Sequence, residues 1–290
     1  MLQRLETIDA DLLDREPSPA PFAMPTSPSP VLPPPVRAVP ALGSTANFMD
    51  FRFQLGTQDG IMGQIAARAP DAPFAYVVTP NVDHVVRIQH LRSDLWPAYR
   101  HAWMTLCDSR ILARLAARTG LRLPVMPGSD LTSALFNTVI APDDRIAILG
   151  GDAATVDDLC ARYGLTNVFH HVPSMGFIES PADAARAVDF LVATRARYSF
   201  LAVGSPQQEM IAYRVAKLGL AIGIGFCVGA SLDFLTGRQR RAPRAMQKVA
   251  LEWLFRLLSN PRRLWRRYLV DGPLILHVYR SWRRRSRALR

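Results

Sequence analysis

From Phe51 onward, short apolar runs alternate with stretches whose apolar residues recur every three to four positions. The runs Ala75–Thr79, Trp103–Cys107, Arg145–Leu149, Asn167–His171, Tyr198–Val203 and Ala221–Phe226 predict buried strands. Between them, Val82–Leu91, Ile111–Arg118, Leu131–Val139, Ala153–Tyr163, Ala182–Thr194 and Gln207–Lys217 predict helices. Strands that alternate with helices make an α/β fold, a mostly parallel sheet with helices on both faces. Ligands bind such sheets at the carboxyl ends of the strands, so chemistry is sought there. The alternation stops after Asp233: Arg244–Leu258 reads as one helix, Ser259-Asn260-Pro261 as a stop and restart, then Arg262–Leu269 and Leu274–Arg287 as two more. Upstream, Pro17–Pro40 holds ten of the 23 prolines and predicts a disordered or polyproline lead. The expected organisation is a lead over 1–50, an α/β domain over 51–240 and a helical appendage over 241–290.

Composition adds one asymmetry. The chain of 290 residues is 49% hydrophobic, enough for a sizeable core, and carries a net +11. From Arg238 to Arg290 there are sixteen Lys/Arg against Glu252 and Asp271, a net +14 that leaves the rest at −3. A tail this basic suits a polyanion: nucleic acid, anionic lipid or a phosphorylated substrate. No nucleic-acid-binding module is recognisable, which argues against the first. Aromatic residues and leucines interleave with the arginines, as in Trp253, Phe255, Leu264, Trp265, Tyr279 and Trp282, the composition of an interfacial membrane element. The same guanidinium groups would also grip a polyphosphate. Met1–Ala20 has no apolar leader pattern and Leu218–Leu232 is too short to span a bilayer, so a peripheral contact at a membrane is expected. Cys107, Cys160 and Cys227 are far apart in apolar runs and read as buried free thiols of a reducing compartment.

The polar signals gather at strand ends. Thr79-Pro80-Asn81 ends one strand, with Asn81 as a helix cap or as a sugar or phosphate ligand beside Thr79. Asp108 ends the next, as a helix cap or a general base. Gly128-Ser129-Asp130 and Gly150-Gly151-Asp152 are Gly-led turns before helices, and neither matches a dinucleotide or nucleotide fingerprint. Gly204-Ser205-Pro206-Gln207-Gln208-Glu209 is more specific, because helix propensity alone does not call for two amides and a carboxylate after such a turn. His170 and His171 are adjacent on a strand, face opposite ways, and make a poor metal pair. The one Asp-x-Asp, Asp9-Ala10-Asp11, lies in the N-terminal lead outside the strand-and-helix pattern, and neither a metal nor another cofactor is called for.

Taken in order, Thr79-Pro80-Asn81, Asp108, Gly128-Ser129-Asp130, Gly150-Gly151, Gly176-Phe177, Gly204 to Glu209, Gly229 to Gly237 around Asp233-Phe234, Arg241-Ala242-Pro243, Leu251 to Leu257 and Pro261 to Leu269 resemble the motifs of the WecG/TagA/CpsF family of glycosyltransferases. The resemblance covers about Phe51 to Leu269. It implies a Rossmann-like fold and an inverting, metal-independent hexosyl or N-acetylhexosaminyl transfer. The implied donor is a UDP-sugar, and the implied acceptor is a sugar on undecaprenyl diphosphate at the cytoplasmic face of the membrane, in the making of exopolysaccharide or another cell-surface polysaccharide. Carried over by motif, Asp108 matches the general base, and Thr79, Asn81 and Gln208, with Glu209 beside it, match the substrate pocket. Arg256, Arg263 and Arg266 match arginines that close over the diphosphates. The resemblance also implies that the segment beyond Leu269 is extra, and its Arg280 to Arg290 end reads as a membrane anchor. Two departures stand out: Ser109 follows the base where the family usually has Gly, and Gln207 stands where it usually has Lys. The other readings are a different nucleotide-using α/β enzyme and a basic scaffold for membrane or nucleic acid; a homo-oligomer is left open.

Overall fold

The computed structural model describes residues 43–239, 243, 246, 251–259 and 261–288. The Pro-rich stretch and most of the start of the helix expected over Arg244–Leu258 lie outside the described residues. Six parallel strands form one sheet in the order β4-β3-β8-β7-β5-β6. They are β3 (Ala75–Val78), β4 (Met104–Thr105), β5 (Ile146–Gly150), β6 (Val168–His171), β7 (Tyr198–Ala202) and β8 (Ile224–Cys227). Each falls on an expected run, with shifted ends. The last starts three residues late because Gly223, at φ +82, turns tightly against the neighbouring chain. A Cβ there would stand 2.3 Å from the carbonyl oxygen of Ala196, so only glycine fits.

Helices cover both faces. On one side lie α1 (Gln58–Ala67), α5 (Gly128–Thr138), α6 (Ala153–Tyr163) and α9 (Ser231–Thr236). On the other lie α2 (Val82–His90), α3 (Trp96–Arg100), α4 (Arg110–Ala117), α7 (Pro181–Thr194) and α8 (Gln207–Leu218). The first layer packs on a stack of rings, Phe136 on Phe200 at 5.0 Å and Phe200 on Phe226 at 5.3 Å. Along the middle of the sheet, α2 and α8 leave β3 and β7 on one face, while α9 and α6 leave β8 and β5 on the other. In sheets of this kind such a divergence of helices leaves a crevice at the carboxyl ends of the strands, so the site is sought at the ends of these four.

A hairpin precedes the sheet, β1 (Thr45–Phe48) paired with β2 (Phe51–Gln54). The hairpin therefore starts within residues 1–50, the stretch that the sequence reading assigned to the lead. Its two-residue turn is Met49-Asp50, both at positive φ (50° and 65°), the backbone of a turn that normally selects Asn or Gly. Tertiary contacts hold it instead. Met49 is fully buried and its carbonyl accepts from Gln89 Nε2 at 2.7 Å, while Asp50 pairs with Arg285 at 3.3 Å.

That ion pair introduces the C-terminal region: α10 (Glu252–Ser259), α11 (Pro261–Trp265), a π-helical stretch (Arg266–Asp271) and α12 (Leu274–Ala288). The helix expected to run on to Leu269 thus changes winding at Arg266. In α12, Ile275, Val278 and Tyr279 are buried in the core with Trp282 against it, at the i, i+3, i+4, i+7 spacing of a docked face. Phe48 meets Trp282 edge-on at 5.1 Å. The segment beyond Leu269 is therefore not a free anchor; only its outer face, with Arg280, Arg284 and Arg287 exposed, is left for another surface.

Phe48 has no exposed surface. Its replacement by alanine is expected to cost about 3–5 kcal/mol. This would be read as a lower urea midpoint at unchanged slope. A loss below about 1 kcal/mol would mean that hairpin and helix do not stabilise the fold.

Candidate active site

Three strand-end turns meet at the crevice. At the end of β3, the Thr79 hydroxyl donates to the carbonyl of Cys227 at 3.3 Å, tying β3 to β8 and leaving only its lone pairs for anything else. Asn81 caps α2, its Oδ1 accepting from the backbone N–H groups of Asp83 (3.0 Å) and His84 (3.4 Å). Both partners are donors, so the amide's oxygen faces the helix and its NH2 faces away. Asn81 is thus a cap and keeps two N–H donors for the crevice. The cap and ligand readings of the sequence are compatible.

Asp108 stands at the end of β4, half-buried, and its backbone N–H donates to the carbonyl of Pro80 at 3.1 Å. That bond fixes it beside the Thr79–Asn81 turn. The cap of α4 is Ser109, whose hydroxyl accepts from Leu112 N–H at 3.2 Å. Ser109 has φ −159° and ψ 118°, an extended backbone open to any residue. The serine in place of the usual glycine therefore strains nothing and supplies the helix cap. Nearby, Gly128 is buried at the start of α5; a Cβ there would lie 3.1 Å from Ser231 Oγ and 3.3 Å from Thr79 Oγ1. Glycine lets α5, α9 and β3 converge at this point.

The third turn follows β7. Gln208 and Glu209 are both buried, at 3% and 0% exposure. Gln208 Nε2 donates to Glu209 Oε1 at 2.8 Å, and Gln208 Oε1 accepts from the Gly229 backbone N–H at 3.0 Å, just past β8. Gln208 thus bridges two turns, with one amide hydrogen left over. Glu209 sits beneath the site rather than in it. Burial pushes its carboxyl up to about 6, against the pull of the Gln208 and Ser205 side chains and of Arg87. Ser205 in turn accepts from Arg87 Nη1 at 2.9 Å, and Arg87 pairs with Asp83. Arg87 was missed by sequence reasoning, its only local sign being the Asp83–Arg87 spacing of four on a helix, whereas Ser205 and Gly229 stood in the quoted motifs without a role of their own.

Other expected features lie elsewhere. Asp152 caps α6, accepting from Ala154 N–H at 2.7 Å. His170 Nε2 is 3.0 Å from the Gly150 carbonyl oxygen, whereas His171 packs on Phe190. Among the described residues no group of three or more His, Cys, Asp or Glu side chains is arranged as a metal site. Cys107 and Cys227 are buried and Cys160 is half-buried, all free thiols. Arg256 and Arg263 fall on α10 and α11, and their side chains lie outside the described residues. Arg266 is exposed on the π-helical stretch, which packs against α2. A separate cleft of about 240 Å³ runs between hairpin and β4, lined by Trp96, Arg100 and Trp103 among others, and includes none of Thr79, Asn81, Asp108 or Gln208.

Glu209 makes a prediction about pH. Its ordinary value is 4.5 and the folded value about 6. A raised carboxyl contributes stability that is complete below 4.5 and is lost as pH rises through 6. The loss is about 2 kcal/mol. Glu209→Gln is expected to gain about that much on the wild type between pH 4.5 and 7 in denaturant titrations. A pH-independent difference would contradict the burial of an ionisable carboxyl there.

The profile of the glycosyl transferase WecG/TagA/CpsF family matches residues 46–288. The match starts in the hairpin and ends in α12, wider at both ends than the motifs alone suggested. The chain belongs to the WecG/TagA/CpsF family of glycosyltransferases.

Proposed function

We propose that this glycosyltransferase of cell-surface polysaccharide synthesis moves a hexose or N-acetylhexosamine from a UDP-sugar to a sugar on undecaprenyl diphosphate, with inversion and without a metal. The observation that carries the reading is the placement of Asp108. The backbone of Asp108 is pinned beside the Thr79–Asn81 turn at the ends of the strands, and the cap of the following helix is Ser109. There the Asp108 carboxylate takes the proton from the acceptor hydroxyl as that oxygen attacks the anomeric carbon. The outward N–H groups of Asn81 and the spare hydrogen of Gln208 are donors for sugar or phosphate oxygens. The leaving UDP carries negative charge, and in this reading Arg256, Arg263 and Arg266, which match family arginines by motif, neutralise it. Gln207, where a lysine is usual, leaves that charge more dependent on the arginines.

The acceptor is a lipid, so the enzyme must work at a membrane face. No helix among the described residues is long and apolar enough to cross a membrane. Support for peripheral binding at the inner face comes from the C-terminal helices. Trp265, Leu269, Val270 and Leu276 are 46–55% exposed, and Arg262, Arg266, Arg280, Arg284 and Arg287 are exposed around them. Exposed apolar side chains and exposed arginines on the same C-terminal elements suit an anionic lipid surface.

With a panel of UDP-sugars and a synthetic lipid-diphosphate acceptor, Asp108→Asn is expected to lower kcat about 10²–10⁴-fold at little change in KM. Near-wild-type kcat would remove Asp108 from the chemistry. In flotation with anionic vesicles, changing Arg280, Arg284 and Arg287 to Gln is expected to weaken binding by about 1 kcal/mol per residue at low salt. Unchanged flotation would remove the outer face of α12 from the membrane contact. Substitution is the better test than truncation, because truncation would also strip Ile275, Val278 and Tyr279 from the core.

A further inference from the structure

Glu209 is a fully buried carboxyl whose place in the helix does not explain it. An acid at the third position of a helix ordinarily reaches back to the N–H of the cap residue. In α8 the cap is Pro206, which has no N–H to offer. The carboxylate turns instead to the side chain of Gln208, and among the described residues none donates a well-formed hydrogen bond to its other oxygen, Oε2. The groups that face it come from every neighbouring element: Tyr76 on β3, Arg87 on α2, Tyr99 on α3, Cys227 on β8 and Ser205 in its own turn. Arg87 is the cation among them; its Nη1 donates to Ser205, whose side chain also favours the charged Glu209 carboxylate. Keeping an ionisable group in such a place is costly, so what it holds matters.

We propose that Glu209 is the positioning residue of the strand-end site: its carboxylate sets which way round the Gln208 amide stands, and so holds the Gly229 turn and the donors around it in register. A carboxylate only accepts, so the NH2 of Gln208 must face it. The carbonyl end then faces Gly229 N–H. Ser231, two residues on, touches the place where Gly128 and Thr79 meet, so the β8 turn passes its position to both. In the other direction, Ser205 leads through Arg87 and Asp83 to Asn81, whose Oδ1 accepts from Asp83 N–H. One buried carboxylate thereby links the turns after β3, β7 and β8. Without it the amide is free to rotate, Gly229 N–H loses a fixed acceptor, and the remaining hydrogen of Gln208 is no longer aimed.

The proposal rests on these turns being the transferase site, and its test begins with a measurement that needs no substrate. In ¹H–¹⁵N hydrogen exchange, the Gly229 amide of Glu209→Leu is expected to exchange at least about tenfold faster than in the wild type. Glu209→Gln keeps an acceptor oxygen and is expected to stay within about threefold of the wild type. Unchanged exchange in Glu209→Leu, or equal acceleration in both, overturns the proposal. If the Leu variant does not fold, Gln208→Ala takes its place and must accelerate Gly229 while Glu209→Gln does not; the reverse overturns it. Turnover then tests the link to the site. Glu209→Leu is expected to lower kcat/KM about 10–100-fold alone but less than about threefold in a Gln208→Ala background. Additive losses, or lost protection with intact turnover, overturn the positioning role. A failure to find any UDP-sugar that supports turnover bears on the donor and leaves the exchange result standing.

Discussion

The two hydrogen bonds of the Gln208 side chain are the constraint on which the rest of the site depends. They join the end of β7 to the end of β8, two neighbouring strands from which the chain departs to opposite faces of the sheet. A crevice between diverging helices is a good place for a ligand and a poor place for rigidity, since backbone ladders have ended there. Bonds outside the strand ladders, most of them from side chains, must do the holding. Thr79 to Cys227, Asp108 N–H to Pro80, and Gln208 to Gly229 do so in turn across β3, β4, β7 and β8. The buried Glu209 is costly in water-free surroundings, and it is retained at the point where those bonds converge.

The C-terminal region combines two physical tasks in one segment. Its last helix buries Ile275, Val278 and Tyr279 and clamps the N-terminal hairpin through Phe48 and the Asp50–Arg285 pair. Its other face is left to basic side chains. A tail with a net +14 would repel itself if it packed on itself alone. Docking one apolar stripe on a near-neutral body keeps the charge pointing outward, where a polyanionic surface can meet it.

The sheet was legible because its strands are buried runs of β-branched and aromatic residues bounded by turn residues, as in Tyr198–Ala202 and Ile146–Gly150. The hairpin was not, because Met49-Asp50 is a turn imposed by burial and an ion pair rather than by local preference. Helix α1 was hidden by Gly60 and Gly63, which weaken its pattern, and α3 by its length of five residues. At the site, the motifs marked Thr79, Asn81, Asp108 and Gln208 by position. They could not say that Ser109 would take the cap, or that Glu209 would face inward beside Ser205 and Arg87. The first is a local choice between two adjacent cap candidates, whereas the second depends on partners more than a hundred residues apart, such as Arg87 and Ser205, which no local window contains.

The most direct measurement of the central claim is where a nucleotide donor binds. Titration of ¹⁵N-labelled protein with UDP and followed by amide chemical shifts separates the strand ends from the hairpin cleft, the two recesses described here. The account predicts that the shifts centre on the turns at Thr79–Asn81, Asp108, Gly204–Glu209 and Gly229. Shifts centred instead on Asn47–Gln54 and Trp96–Thr105, with the strand-end turns silent, would contradict it.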